Sequence, residues 1–228
     1  MSFKPEPEAI DLLLDALTQE GRPQLVFPGE PVGSVPAMPQ MWIDMLVSEV
    51  DPATFIERWW MPMRDRLPST LSLLKRKTSC LGVLSTEKRP LSLLYCFGTE
   101  KSLFANRGFL PLQDYDAAIR GYRLATDLSP FYRVHDGWVD VFSGDGGPLP
   151  VAEWHLLGGD TGDSSRFLEI YLNGGMSMGF DLSVQPAVAY ALWPDEAKVE
   201  PVANVWAWLD RALADGLEDL GDAVRIDE

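Results

Sequence analysis

Ile10, Leu13, Leu14 and Leu17 recur at helical spacing, and Gly21 follows them. One apolar face with a glycine beyond it predicts an amphipathic helix over about residues 7–20. Pro23, Pro28, Pro31, Pro36 and Pro39 come next. Each fixes φ and removes a donor, so residues 22–40 read as a loop or wrapping segment. Trp42, Met45 and Leu46 predict a short helix. Asp51-Pro52 pairs a capping side chain with a proline whose missing N–H costs nothing there. Phe55, Ile56, Trp59 and Met63 then share one face.

Two apolar runs, Cys80 to Leu84 and Leu91 to Phe97, flank the charged Glu87-Lys88-Arg89-Pro90. They predict a β-hairpin, with Ser102 to Ala105 as a third strand. Lys75-Arg76-Lys77 reads as a solvated basic edge. Tyr115, Ala118, Ile119 and Tyr122 predict a helix over roughly 113–126. Ser129-Pro130 repeats the cap-then-proline pattern, and the short helix behind it should end at Asp136-Gly137.

Residues 165–193 hold the clearest alternation. Leu168, Ile170 and Leu172 alternate with polar or aromatic neighbours, as do Met176, Met178, Phe180 and Leu182. A three-residue loop, Asn173-Gly174-Gly175, pairs Leu172 with Met176 and Ile170 with Met178, placing both apolar sets on one face. A two-residue Asn173-Gly174 turn does not. Ala187 to Trp193 supplies the next strand. A helix over about 201–220 closes the chain, with Val202, Val205, Trp206, Leu209 and Leu213 as its buried stripe. Helices leading into hairpins, with no alternating βαβ units, specify an α+β fold. No linker rich in Gly and Ser divides it, so 1–228 reads as a single domain.

Composition narrows the setting. The 228 residues include only two cysteines, Cys80 and Cys96, which excludes a disulfide framework and fits a reducing cytoplasm. No apolar run approaches the roughly 18 residues of a membrane helix, and the opening residues do not look like a secretory signal. The net charge of −15 is unevenly spread. Residues 1–110 carry 12 basic and 13 acidic side chains, whereas residues 111–228 carry 7 and 21. Such a field repels nucleic acid and anionic membranes and speeds encounter with a basic partner.

The search for chemistry finds no strong motif. Gly175-Met176-Ser177-Met178-Gly179 matches the GxSxG nucleophile elbow. That elbow needs a strand, a sharp turn and a helix, and the alternation instead continues through Ser177. Both histidines, His135 and His155, precede the serine, against the order of the fold that uses this elbow. Asp136, Asp140 and Glu153 stand near them, but zinc-ligand spacing is missing, and His135 reads as a capping group at a helix end. The glycine-rich stretches 144–147 and 158–163 carry aspartates where a phosphate cradle wants lysine. They read as exposed turns, and the pattern of a calcium loop is absent. Trp42, Trp59 and Trp206 fall on apolar helix faces as core residues. Neither a cofactor nor a metal is expected.

One resemblance stands out. The stretch Leu128-Ser129-Pro130-Phe131-Tyr132-Arg133-Val134-His135-Asp136-Gly137-Trp138, followed by Gly146-Gly147-Pro148-Leu149-Pro150-Val151-Ala152-Glu153-Trp154, resembles the SUKH superfamily. This family includes a yeast cell-wall-assembly regulator and many bacterial immunity proteins. The resemblance covers about residues 110–220, leaving 1–110 as an N-terminal helical and hairpin elaboration. It implies a central antiparallel-rich mixed sheet flanked by helices. It also implies a non-catalytic immunity protein that binds a cognate bacterial toxin domain and occludes its active site. A nuclease toxin has the basic surface that an acidic antidote suits. Asp140, Asp145, Glu153, Asp160 and Asp163, chosen by charge and expected exposure, are the candidate partner-binding residues. Tyr132 or Trp138 would serve as aromatic anchors, unless they pack the turn onto the sheet. The rival readings are an interaction scaffold or regulator, a hydrolase using Ser177, Glu153 or His135, and a small-molecule sensor.

Overall fold

A computed structural model describes residues 5–31, 38–48, 50–89, 91–119, 121–157 and 166–222. The first helix, α1 (Pro7–Ala16), buries Ala9 and Leu13 and runs into a 3₁₀ turn, Thr18–Glu20. Gly21 ends that turn at φ 97°, a conformation that favours glycine. The proline-rich stretch is not all loop. Gln24–Val26 forms β1, which pairs with β2 (Thr78–Ser85) through Leu25 opposite Leu84. Prolines at 23 and 28 bracket the strand without entering it, a placement that a sheet edge tolerates.

Helix α2 (Gln40–Ser48) buries Trp42, Met45 and Leu46. Helix α3 (Pro52–Trp59) begins as the sequence predicts, with the Thr54 N–H donating to Asp51 Oδ2 at 3.0 Å. Helix α4 (Pro68–Lys77) was hidden from the sequence reading, and the predicted basic edge Lys75-Arg76-Lys77 is its last turn. Cations are favoured there because the terminal carbonyls carry partial negative charge. Strands β3 (Ser92–Gly98) and β4 (Leu103–Phe109) complete the predicted hairpin and its third strand.

The predicted helix over 113–126 is only α5 (Tyr115–Ile119), and Arg123 lies beyond it at φ 48°. Helix α6 (Ser129–Tyr132) follows. Its first N–H group is served by Asp127, whose Oδ1 accepts from Ser129 N at 2.9 Å, and the Ser129 hydroxyl does not cap it. Gly137 sits at φ 98°, where an added Cβ would lie 2.6 Å from the Pro150 nitrogen. Strand β5 (Trp138–Asp140) then joins the first sheet, whose antiparallel order is β1-β2-β3-β4-β5. That sheet spans residue 110, since β4 pairs with β5.

The remaining strands form a second antiparallel sheet. They are β6 (Gly147–Pro148), β7 (His155–Leu156), β8 (Phe167–Asn173), β9 (Met176–Asp181), β10 (Val188–Trp193) and β11 (Lys198–Pro201). Their order is β11-β10-β9-β8-β6, with β7 also against β8. The fold is therefore α+β, as expected, but in place of one central mixed sheet the named strands form two sheets whose pairings are all antiparallel. The β8–β9 turn corrects the predicted register. Asn173 pairs with Met176, so only Gly174 and Gly175 turn, and Leu172 faces Ser177. A register shift between Glu169 and Tyr171 leaves Ile170 as the extra residue and sets Leu168 opposite Phe180. The irregularity keeps the apolar residues buried without the three-residue loop.

Helix α7 (Val205–Asp222) closes the described chain. It buries Val205, Leu209, Leu213 and Leu217, while Trp206 and Trp208 are half-buried against the core. Helices α4 and α7 exchange polar contacts. Asp210 accepts from Ser69 N at 3.1 Å and Thr70 N at 2.9 Å, and Thr70 Oγ1 donates to the Asp210 carbonyl at 3.0 Å. Lys77 Nζ donates to the carbonyls of Leu217 and Glu218 at 2.7 and 2.9 Å. Asp210 thus satisfies the first N–H groups of α4, and Lys77 adds a donor to two carbonyls near the end of α7.

One hydrophobic cluster runs from Trp42 to Leu217 and includes Leu81, Leu93 and Tyr95 of the first sheet. A second gathers Ala9, Leu13 and Leu17 over Cys80, Leu84, Leu94 and Cys96. The first sheet is buried on both faces, which explains the continuous apolar run from Leu93 to Phe97. Among the described residues, no helix is long and apolar enough to cross a membrane.

Candidate partner-binding cleft

Two of the five candidate acids meet at one place. The segment after β5 turns tightly because Asp140 Oδ1 accepts from Phe142 N at 2.9 Å, Ser143 N at 2.8 Å and Ser143 Oγ at 3.1 Å. These bonds all fall on Oδ1. Ser143 Oγ also donates to Asp145 Oδ1 at 2.8 Å, so one hydroxyl ties the two carboxylates together. Asp145 Oδ2 accepts from Gly174 N at 2.9 Å, which fastens this loop to the β8–β9 turn.

Helix α7 forms the opposite wall. Asp140, Ser143 and Asp145 share a cleft of about 200 Å³ with Asn173, Leu213, Leu217 and Asp219. Trp138 and Asn106 lie on its inner side. Among the described residues, no lysine or arginine lines it. Asn106 is directly opposite Asp140 in the β4–β5 register and is only 5% exposed, and its Oδ1 has no hydrogen-bond partner. Asp219 is exposed, and it forms no ion pair among the described residues. Burial holds the Tyr171 phenol above its ordinary range, and the nearby Asp145 and Asp215 charges push it the same way.

Glu153 is elsewhere and is already engaged. Its carboxylate pairs with Arg89. The Arg89 guanidinium lies 4.4 Å from the Phe109 ring centroid, and that of Arg107 lies 4.8 Å from it. Arg107 is 1% exposed and donates through Nη2 to Glu20 Oε2 at 2.8 Å. Burial pulls the Arg107 pKa down, and Glu20 opposes that. Glu153 is therefore the outer member of a charge network built around two arginines, unlike the uncompensated acids of the cleft. Asp160 and Asp163 lie outside the described residues.

Sequence reasoning missed Asp219 and Asn106. Asp219 belongs to the polar face of a helix read only for its apolar stripe. Asn106 carries no motif, and its importance comes from being buried beside acids. Tyr132 is not an available anchor: it is 1% exposed, and its hydroxyl donates to the Leu149 carbonyl at 2.9 Å. Trp138 is 2% exposed and packs within the core, with one edge at the cleft.

The residues of the hydrolase reading are not joined by any hydrogen bond. Ser177 lies inside β9, as the alternation predicts, and is buried with no partner for Oγ. His155 is exposed, with Nε2 3.1 Å from Glu169 Oε2. His135 does not cap a helix with its ring. The imidazole is fully buried, with Nδ1 2.9 Å from the Phe109 carbonyl and Nε2 2.8 Å from Tyr95 Oη. A carbonyl only accepts, so Nδ1 carries the proton and Nε2 accepts from the tyrosine. Burial drives this histidine down to about 3. Among the described residues, no group of three or more His, Cys, Asp or Glu is placed to hold a metal ion.

A larger groove of about 420 Å³ between α3 and α4 carries mainly the opposite charge, with Arg58, Arg64 and Lys75 beside Glu57 and the exposed Met61. The two concavities share the charge asymmetry seen along the sequence. No protein family, curated protein or solved structure compared with this chain matches it.

Proposed function

We propose that this protein is an immunity-type binding protein that neutralises a cognate bacterial toxin domain by covering its active site. The observation that carries the reading is the cleft, where Asp140, Asp145 and Asp219 stand together without a basic side chain among the lining residues. Acids left unpaired in a solvated concavity cost little alone and attract cations over several ångströms. A partner that grips phosphate is basic at its active site, so the same acids speed encounter and fix its orientation. The SUKH resemblance over residues 110–220 points the same way. The protein acts in the cytoplasm of the producing cell, where its two cysteines stay reduced. It binds protein, not nucleic acid or membrane.

The test is co-expression. The gene is expressed with its immediate genomic neighbour in a host that the neighbour arrests. The expected result is restored growth and a one-to-one complex. A neighbour that is harmless, or that arrests growth equally with and without this protein, overturns the reading. A stable complex with a non-toxic neighbour transfers the assignment to a scaffold or regulator.

A further inference from the structure

We propose that Cys80 and Cys96 form a redox-active thiol pair, masked by α1, that closes into an internal disulfide with a small-molecule disulfide as the oxidant. The only two cysteines of the chain stand directly opposite each other across β2 and β3. Both are free thiols in the cluster that α1 covers, so their side chains share one face of the sheet. Opposed residues of an antiparallel pair lie about 4.5–5.5 Å apart at Cα, within the span of a disulfide. The ladder is already interrupted beside Cys80, where Ser79 is the extra residue, so a small shift there disturbs no further regular pairing. The two thiols also feel each other: burial raises Cys96 well above its ordinary range, and Cys80 pushes it the same way.

Access is set by α1. With the helix in place the pair is inert, since both thiols are buried and the raised Cys96 holds little thiolate. The helix itself is weakly built. It has ten residues and no side-chain cap, and isolated helices this short are marginal in water. Its charged residues are Glu8, Asp11 and Asp15, with no lysine or arginine. Asp11 and Asp15 are like charges four residues apart, and Asp15 stands in the last turn, where the terminal carbonyls disfavour an anion. Ala9 and Leu13, with Leu17 just beyond the helix, hold it down by packing. An element with so little stability of its own opens before the sheet beneath it. In a reducing cytoplasm the pair rests as thiols. When α1 lifts, one thiolate attacks the oxidant's S–S bond, giving a mixed disulfide and one released small thiol. The second thiolate attacks the protein sulfur of that mixed disulfide and expels the second small thiol. The protons of the two cysteines pass through water to the two released thiolates, and the protein gives up two electrons.

The probe is excess oxidised glutathione, added to the full chain under native conditions and followed by intact mass and by thiol titration in denaturant. The parent should lose both thiols and two hydrogens, retain no attached glutathione, form no cross-linked dimer, and recover both thiols in dithiothreitol. Cys80→Ser should stop at one attached glutathione. Leu13→Ala, which thins the packing under α1, should speed closure roughly tenfold or more. Asp15→Lys, which removes the like-charge pair and places a cation in the last turn, should slow it several-fold. Asp210→Ala, which loosens the distant tie between α4 and α7, should leave the rate unchanged, because lifting α1 does not require unfolding the core. An unreactive parent, a stable glutathione adduct on it, cross-linking between chains, or equal acceleration by Leu13→Ala and Asp210→Ala would each overturn the proposal.

Discussion

Two polar regions lie on either side of Trp138, and they are built on opposite terms. On the core side, His135 is enclosed by Trp60, Tyr95 and Trp138, with ring centroids 5.4, 5.7 and 6.0 Å away. The polar atoms around the imidazole are paired, although Nε1 of the neighbouring Trp42 is buried without a partner. Trp60 Nε1 donates to Tyr95 Oη at 2.8 Å, the tyrosine donates to His135 Nε2, and His135 Nδ1 donates to the Phe109 carbonyl. On the cleft side, carboxylates outnumber donors and the Asn106 carbonyl oxygen has no partner. A closed, satisfied network has nothing left to offer a ligand and specifies the core. An open set of unmatched acceptors contributes little to the fold and is available for recognition. If this contrast is right, substitutions in the first region cost stability, and those in the second cost binding.

The largest effect is expected at His135. His135→Ala leaves a cavity and strips Tyr95 of its acceptor, so chemical denaturation should show a loss of about 4 kcal/mol. The same histidine sets a pH dependence. Its folded pKa of about 3 lies below the ordinary 6.5, so the unfolded chain takes up the proton first. Its contribution is complete above about pH 6.5, erodes as the pH falls, and is gone below the folded value. Between pH 6 and 4 the parent chain should lose up to about 1.4 kcal/mol per pH unit from this group. His135→Gln, which cannot titrate, should remove that part of the slope. An unchanged slope would place the acid sensitivity in the carboxylates instead.

Next in size is the tie between α4 and α7. Asp210→Ala removes the acceptor for two backbone N–H groups at the start of α4 and should cost about 2–3 kcal/mol. Lys77→Met removes the donor to the Leu217 and Glu218 carbonyls and should cost about 1 kcal/mol. It has a sharper use, because α7 is one wall of the cleft. Hydrogen exchange should rise in the last two turns of α7 and stay unchanged around His135. Equal loosening of both would mean that the two regions are one mechanical unit.

The same divide explains what the sequence revealed. Helix α3 was legible because its cap, Asp51, its proline and its apolar face are neighbours in the chain. Helix α4 was not, because its first N–H groups are served by Asp210, 140 residues later. Strand β1 is three residues among prolines and exists only through its pairing with β2. The β8–β9 strands were legible from alternation, but their register was not, since a bulged residue such as Ile170 leaves no mark in the pattern. Asp140 and Asp145 were visible as acids in a glycine-bearing turn. Glu153 looked equivalent, but Arg89, 64 residues earlier, neutralises it. Asn106 became informative only when its surroundings were known, because an unpaired acceptor is a property of packing and not of residue type.

The smallest stability effect is expected at Asp219, and there the contrast is tested most directly. The carboxylate is exposed and has no hydrogen bond or ion pair among the described residues, so Asp219→Asn should change the unfolding free energy by no more than about 0.5 kcal/mol. The sign at low salt should be slightly favourable, because removing one acid from a chain of net charge −15 relieves self-repulsion. Association should move the other way. Stopped-flow mixing with the basic partner should give a rate that falls steeply with salt for the parent chain and less steeply for the variant. Glu153→Gln serves as the control, since that acid is already paired and its removal should leave the salt slope nearly intact. If Glu153→Gln flattens the slope and Asp219→Asn does not, the partner meets the Arg89–Glu153 edge, and the unmatched acceptors of the cleft have another purpose.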